Sequence, residues 1–440
     1  MAVEVHKFGG TSVSSVDGLR TAVRVAEDGG VVLVVSAFAG VTDELERLVV
    51  EAASGGAVDP GVPLSLCEER AEELGVAEDG EVREVLGEVG DLLRSVVVIL
   101  RQLGRPDPRL RDLVLSVGER VAARVVAAFL RSEGVEARAF DSWDIGLVTS
   151  DQPGNADIVR WEGTRGLVEG LVEDGVVPVV TGFIGRSVGG YVTTLGRGGS
   201  DYTAAVLAGV LGSDAFIWTD VDGIMTADPG VVEAEVVPRL SYEEAVIAGA
   251  SGAEVLHPKA VEAAMNMGVV IRVGNSFTGR VGTVVCEGSP PGPKVVAHRL
   301  DVVLLTVRGA KMVDEPGVIG RITSALGDAG VNVLAISSAV SEPFVNVLVS
   351  EDDAEAAAGA LDGLEGYDWG LREDVGVVTV VGRGVDPSLV RVEGALVGCS
   401  ALEGVAYTVV VPEEDVEGVV RGLARVVTRS LRSSVGGGRG

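Results

Sequence analysis

The sequence predicts an α/β protein in which a mainly parallel sheet lies between layers of helices, followed by a smaller pair of α+β units. Three observations lead there. Residues 1–288 alternate β-branched apolar runs with amphipathic helical stretches. A Gly/Pro cluster, Glu287-Gly288-Ser289-Pro290-Pro291-Gly292-Pro293, then interrupts all periodicity. Beyond it two segments share a strand–helix–strand plan, an imperfect repeat of about 70 residues.

Taken in order, strands are expected at residues 3–7, 31–36, 137–141, 176–181, 215–219 and 269–273, each a run rich in Val, Ile and Ala. Residues 66–103 and 113–133 read as helices, with Glu, Arg and Ala on one face and Leu, Val and Ile on the other, and 202–211 reads as a third. The domain boundaries follow: 1–288, a linker at 289–300, a first unit at 301–372, a second at 373–432 and a disordered Ser/Gly/Arg tail at 433–440. Within the repeat, strand 302–308, helix 319–329 and strand 331–337 correspond to strand 375–381, helix 387–396 and strand 405–411.

The formal net charge of −29 argues against nucleic acid or an anionic membrane as partner, since both demand cationic surface. No window approaches the roughly 18 apolar residues of a membrane span, and the start of the chain shows no secretory signal. A soluble, cytoplasmic protein is expected. Cys67, Cys286 and Cys399 lie far apart, and His6, His257 and His298 are isolated, so neither a metal centre nor a disulfide framework is expected. Lysine is nearly absent: Lys7, Lys259, Lys294 and Lys311 stand beside many arginines. Dense carboxylates with few lysines suit a salt-rich cytoplasm better than heat, where lysine is usually abundant.

Lys7-Phe8-Gly9-Gly10-Thr11-Ser12 ends a strand with two glycines and two hydroxyls, so backbone N–H groups and an ammonium can cradle a phosphate. A plain tight turn is the alternative. Thr194-Leu195-Gly196-Arg197-Gly198-Gly199-Ser200-Asp201 again opens a helix and adds an arginine able to grip a carboxylate with two hydrogen bonds. Ser36 to Asp43 follows another apolar strand, and Ser116-Val117-Gly118-Glu119-Arg120 opens a helix; each, singly, could be an ordinary cap and turn.

Six elements thus stand in order: K-F-G-G-T-S at 7–12, S-A-F-A-G-V-T-D at 36–43, V-G-E-R at 117–120, G-R-G-G-S-D at 196–201, T-D-V-D-G at 219–223 and L-H-P-K at 256–259. On these motifs the chain resembles the aspartokinase branch of the amino-acid-kinase family over essentially its whole length. The resemblance implies a three-layer sandwich around an eight-stranded, mainly parallel sheet, followed by ferredoxin-like ACT domains. It implies transfer of the ATP γ-phosphoryl group to the β-carboxylate of L-aspartate, with Lys7 neutralising the moving group and Asp201 organising the catalytic centre. Ser36, Thr42, Glu119, Arg197, Gly198, Gly199 and Ser200 would bind aspartate, Arg197 at its α-carboxylate. Lys7, Gly9, Gly10, Thr11, Ser12, Thr219, Asp220, Met225 and Lys259 would contact ATP. Magnesium would arrive with ATP and keep several waters, so no protein metal cage is assigned. Two of the four lysines, Lys7 and Lys259, occupy the two positions where the family places phosphate-binding lysines.

The chain departs from the family at Met225, where an aromatic residue is usual, and at Gly230, where an arginine is usual; Arg239 is a candidate compensating cation. In the first ACT-like unit, Met312, Asp314, Gly317, Val318, Ser337, Ser338 and Glu342 match the expected site for an amino-acid effector, lysine or threonine. The second unit lacks that loop and is expected to pack and dimerise, giving a homodimer or dimer of dimers. Two other readings are a kinase for glutamate, acetylglutamate, carbamate or uridine monophosphate, and a sensor that binds effector without phosphorylating. A fused homoserine dehydrogenase is not expected, because too few residues follow the ACT region.

Overall fold

The computed structural model describes residues 3–253, 256–309, 316–338, 344–386, 388, 392, 394–400 and 404–436. In chain order the elements are β1 (Glu4–Phe8), α1 (Gly10–Val13), α2 (Val16–Asp28), β2 (Val31–Val35), α3 (Val41–Ala53), α4 (Gly61–Glu73), α5 (Gly80–Leu103), α6 (Pro108–Ser132) and β3 (Ala137–Phe140). There follow β4 (Val148–Thr149), β5 (Ile158–Arg160), α7 (Thr164–Glu173), β6 (Val177–Thr181), β7 (Ile184–Ser187), β8 (Val192–Thr194) and α8 (Gly199–Leu211). Next come β9 (Ala215–Thr219), β10 (Arg239–Ser241), α9 (Tyr242–Ala250), α10 (Pro258–Met267), β11 (Ile271–Asn275) and β12 (Arg280–Cys286).

The eight-stranded sheet has the order β10-β12-β11-β9-β1-β2-β6-β3. β11, β9, β1, β2, β6 and β3 are mutually parallel; β12 runs against β11, and β10 runs with β12. Helices cover both faces, which is why β2, V-V-L-V-V, is buried at all five positions. Val31, Leu33 and Val35 point into the main core with Leu19 of α2, Leu45 of α3, Leu93 of α5 and Val121 of α6. The opposite face packs on α8, which packs on α10. From β1 the chain first builds outward through β2 and later returns to add β9 on the other side of β1, so the order reverses there. The crevice outside the carboxyl ends of the strands at such a reversal is where open α/β sheets bind ligands, and Lys7 stands near that end of β1.

The helix expected over residues 66–103 is two helices, α4 and α5. Gly75 takes φ 73° just beyond α4, a conformation a side chain would resist. Asp79 then caps α5, accepting the N–H groups of Glu81 and Val82. A second small sheet, β5-β4-β7-β8, lies along the chain between β3 and α8.

The chain divides into two compact units: Met1–Ile224, Pro238–Val246 and Glu254–Gly288 form one, and Met225–Val237, Ile247–Ala253 and Ser289–Gly440 the other. The second unit contains β13 (Val295–Arg299), β14 (Val302–Arg308), α11 (Val318–Asp328), β15 (Val333–Ser337), β16 (Phe344–Ser350), α12 (Ala354–Asp362) and β17 (Asp368–Arg372). It continues with β18 (Val375–Val381), β19 (Val397–Ser400), β20 (Ala406–Pro412) and α13 (Val416–Gly436). β14 to β17 form an antiparallel sheet of order β15-β16-β14-β17 with α11 and α12 packed on it, a ferredoxin-like unit.

The second sheet corrects the expected linker at 289–300. Its order is β13-β18-β20-β19, so the strand on the far side of β18 comes from ahead of the first ferredoxin-like unit, not from residues 373–432. The Gly/Pro run hid the short strand V-V-A-H-R, in which Val295, Val296 and Ala297 are buried. One unit is therefore inserted within the other. The two sheets share an apolar layer of Val302, Leu304 and Leu348 against Val375, Val377 and Val410. The tail expected from residue 433 is corrected at its start, since α13 runs to Gly436; residues 437–440 and half of those in the helix expected at 387–396 lie outside the described residues. No helix among the described residues is long and apolar enough to cross a membrane.

Candidate active site

A cleft of about 280 Å3 opens at the carboxyl ends of β1, β2 and β6, lined by Lys7, Ser36, Thr42, Glu119, Phe183 and the glycine loop from Gly196 to Asp201. It brings together the residues predicted for catalysis and for aspartate. A slightly larger cavity, about 330 Å3, lies at the opposite ends of β2 and β6 around Gly29, Gly134 and Gly175. The described residues lining it offer no lysine, arginine or histidine, so the chemistry points to the smaller cleft.

Lys7, one residue before the end of β1, places its Nζ 2.7 Å from Oδ1 of Asp201. Both side chains are nearly enclosed, 12% and 10% exposed, so this ion pair is held in a medium where charge interactions are stronger than in water. Asp201 lies in the first turn of α8, the end of a helix that favours a carboxylate. The turn is set by Gly198, at φ 70°; a Cβ there would sit 2.1 Å from Cβ of His257, so a side chain is excluded twice over. His257 caps α10, its Nδ1 accepting the Lys259 N–H at 3.3 Å. Burial lowers its pKa below the usual histidine value, although Asp201 pulls the other way. Ser200 is buried and Arg197 exposed.

Glu119 projects from α6 and is buried, with Oε1 accepting the Ala37 N–H at 3.1 Å. Burial raises its pKa to about 8, against the pull of that hydrogen bond. Its Oε2 is enclosed without a hydrogen-bond partner. A carboxyl oxygen left unsatisfied in a wall of the cleft is open to a ligand.

Phe183 and His257 escaped the reading of the sequence. Phe183 has φ 60°, the one non-glycine at positive φ among the described residues, and the Ile184 N–H reaches the Gly182 carbonyl at 2.6 Å across it. That is a γ-turn, a rare and strained arrangement, and Ser142 braces it by donating its hydroxyl to the Ile184 carbonyl. No local pattern signals such a turn at a phenylalanine. His257 was visible inside L-H-P-K but carried no assigned role.

The residues assigned to ATP are more dispersed. The Gly9 N–H is used by the Trp218 carbonyl at 3.2 Å, tying the Gly-Gly turn to β9. Thr11 is exposed, whereas Ser12 is buried, its hydroxyl 2.8 Å from that of Ser276; that hydroxyl braces the turn and is not turned to a phosphate. Gly10 starts α1, and Thr219 donates its hydroxyl to Asp220 at the end of β9. Lys259 does not line the cleft: its Nζ donates to Asn155 Oδ1, the Ala156 carbonyl and the Leu195 carbonyl at 2.8–3.1 Å, with Asp157 at 3.1 Å. Met225 and Gly230 fall in the second compact unit. Arg239 donates through Nε to the Gly288 carbonyl at 2.6 Å.

Of the effector residues, Gly317 (φ 83°) precedes α11, Val318 is its first residue, Ser337 ends β15, and Ser338 follows it. Met312, Asp314 and Glu342 lie outside the described residues.

A parallel sheet whose reversal point carries a lysine–aspartate pair beside an arginine-bearing glycine loop defines a phosphotransferase for a small carboxylate. The model of the amino acid kinase family matches residues 2–275, and that of the ACT domain residues 305–363. An aspartokinase of Thermus thermophilus is 31% identical over 77% of this chain and 88% of its own length. Aspartokinase 1, chloroplastic, of Arabidopsis thaliana is 30% identical over 76% of this chain, but the match spans only 61% of the plant protein. The structure of E. coli aspartokinase III with aspartate and ADP superposes with a TM-score of 0.79 at 29% identity, covering 96% of this chain and 98% of that one. The chain belongs to the amino acid kinase family, in its aspartokinase branch with C-terminal ACT domains.

Proposed function

We propose that this kinase phosphorylates the β-carboxylate of L-aspartate with ATP, giving 4-phospho-L-aspartate and ADP, the entry to biosynthesis of the aspartate-derived amino acids. The observation that carries the reading is the enclosed Lys7–Asp201 pair, in one cleft with the glycine loop of Arg197 and the open oxygen of Glu119. A substrate with one carboxylate for Arg197, an ammonium for Glu119 and a second carboxylate directed at Lys7 satisfies all three.

In this reading a β-carboxylate oxygen attacks the γ-phosphorus, the bond from that phosphorus to the β,γ-bridging oxygen breaks, and ADP leaves with the electron pair. The nucleophile is already ionised at neutral pH, so no general base is needed. What the protein supplies is alignment and charge neutralisation. Lys7 meets the equatorial oxygens as negative charge spreads over them, and Asp201 keeps its ammonium in place. Ser36, Thr42 and Ser200 offer hydroxyls and Gly198 and Gly199 backbone N–H groups to aspartate. Gly9, Gly10, Thr11, Thr219 and Asp220 approach the nucleotide; Ser12 acts through the turn it braces. Magnesium is read as part of the MgATP substrate, arriving with the nucleotide and keeping several of its waters.

The E. coli structure containing lysine and aspartate favours lysine as the effector to try first, at Gly317, Val318, Ser337 and Ser338. Work as a cytoplasmic homodimer completes the proposal. The test is a coupled assay of aspartate-dependent ADP release for the wild type and Lys7→Arg. The variant is expected to fold normally and lose turnover, because a planar guanidinium does not replace a compact ammonium between phosphates. A near-wild-type rate would remove Lys7 from the mechanism, and no aspartate-dependent turnover by the wild type would sink the reading.

A further inference from the structure

We propose that Asp112, a buried carboxylate on α6 that does not line the cleft, is a positioning residue for the arginine loop; the proposal rests on the aspartate reading of that loop. Asp112 is fully buried. Its oxygens accept the Gly154 N–H at 2.9 Å, the Thr194 N–H at 3.0 Å and the Thr194 hydroxyl at 2.8 Å. The nearest cation is Arg111, at 4.0 Å, so neutral donors rather than a salt bridge make the carboxylate tolerable inside.

These bonds converge where the loop begins. Thr194 is the last residue of β8 and stands three residues before Arg197. The Thr194 carbonyl in turn accepts the Ala156 N–H at 2.9 Å. From another helix, α10, the Lys259 ammonium takes the carbonyls of Leu195 and Ala156 and the side-chain oxygen of Asn155. A carboxylate therefore gathers the N–H groups of the two segments and an ammonium gathers their C=O groups, with opposite charges gripping one junction. Gly196 completes the contact, since a Cβ there would meet Asn155 Oδ1 at 2.9 Å.

A buried aspartate could simply staple a loop for stability. The distinction is that both partners flank the segment whose end carries Arg197, so loss of the grip should displace the group that holds the amino acid and spare the nucleotide side. Asparagine is the discriminating replacement: it keeps the shape but removes the charge, and its NH2 group can pair only with the Thr194 hydroxyl, which must then accept, leaving one oxygen for both N–H groups.

The experiment measures KM for aspartate, KM for ATP and kcat for the full-length wild type, Asp112→Asn and Thr194→Val. Asp112→Asn is expected to raise KM for aspartate about tenfold or more, as small misplacements of a binding group do, with KM for ATP nearly unchanged. Thr194→Val, which removes only the hydroxyl bond, is expected to raise it about two- to fivefold. Unchanged KM for aspartate in a folded Asp112→Asn protein overturns the proposal, as does an equal rise for both substrates. If Asp112→Asn does not fold, Thr194→Val decides by the same criteria. These failures differ from failure of the functional reading, in which the wild type itself shows no aspartate-dependent turnover and both ideas fall.

Discussion

Burying the Glu119 carboxyl with one oxygen unpartnered keeps its proton in the folded, ligand-free protein up to about pH 8, whereas an unfolded chain releases it near 4.5. Folding is then linked to proton uptake, so this group's contribution to stability is full below the lower value, declines as pH rises between the two and levels off above about 8. Glu119→Gln carries no such dependence. Its melting temperature relative to wild type is expected to increase from pH 6 to about 8 and then hold, while affinity for aspartate falls at every pH; a pH-independent difference in Tm would mean that Glu119 titrates normally. The sequence singled out side chains where chemistry restricts the choice, as at Lys7, Arg197 and Asp201, which share one cleft. Side chains were not legible where role depends on position alone. Asp112 reads as one more carboxylate among 65 acidic residues, and only the donors converging on it set it apart. Lys259 shows the reverse: its residue type suggested phosphate, while its ammonium is surrounded by protein oxygens.

At the scale of elements, the strands that became legible were those buried on both faces, such as β2 and β6, because covering both faces writes a continuous apolar run. The break between α4 and α5 and the strand β13 were missed for one reason: five or six residues are too short for periodicity to outweigh neighbouring Gly, Pro or Asp. β13 has a measurable consequence. Val296 lies in the core of the second sheet with Val378, Val380 and Val409. Val296→Ala is expected to destabilise the protein by about 1–3 kcal/mol, as removal of buried methyl groups does, read by denaturant unfolding. Were residues 289–300 the solvated linker that the sequence suggests, the change would fall within about 0.5 kcal/mol.

For the whole molecule, a net charge of −29 sets carboxylates against one another over the entire surface. Exposed pairs such as Arg47–Glu44 and Arg94–Asp91 offset little of this, being solvated. Raising KCl from about 0.1 M to about 1 M shortens the screening length from ~10 Å to ~3 Å and is expected to raise Tm steadily; a flat response would show that the acidic surface is not under strain. The alternation of elements disclosed the larger unit's architecture, but the order of construction in the smaller one was hidden, because a contiguous sequence does not announce that one unit lies inside another. That nesting has an evolutionary side. The chain leaves the second sheet after β13 and re-enters it at β18, its immediate neighbour, with Arg299 paired to Val377, so the two ends of the guest emerge about 5 Å apart. A guest attached in this way can be lost, duplicated or exchanged without rethreading its host. The condition is that a newcomer present an apolar sheet face to match Val375, Val377 and Val410, so what the enzyme senses can change over lineages faster than what it makes.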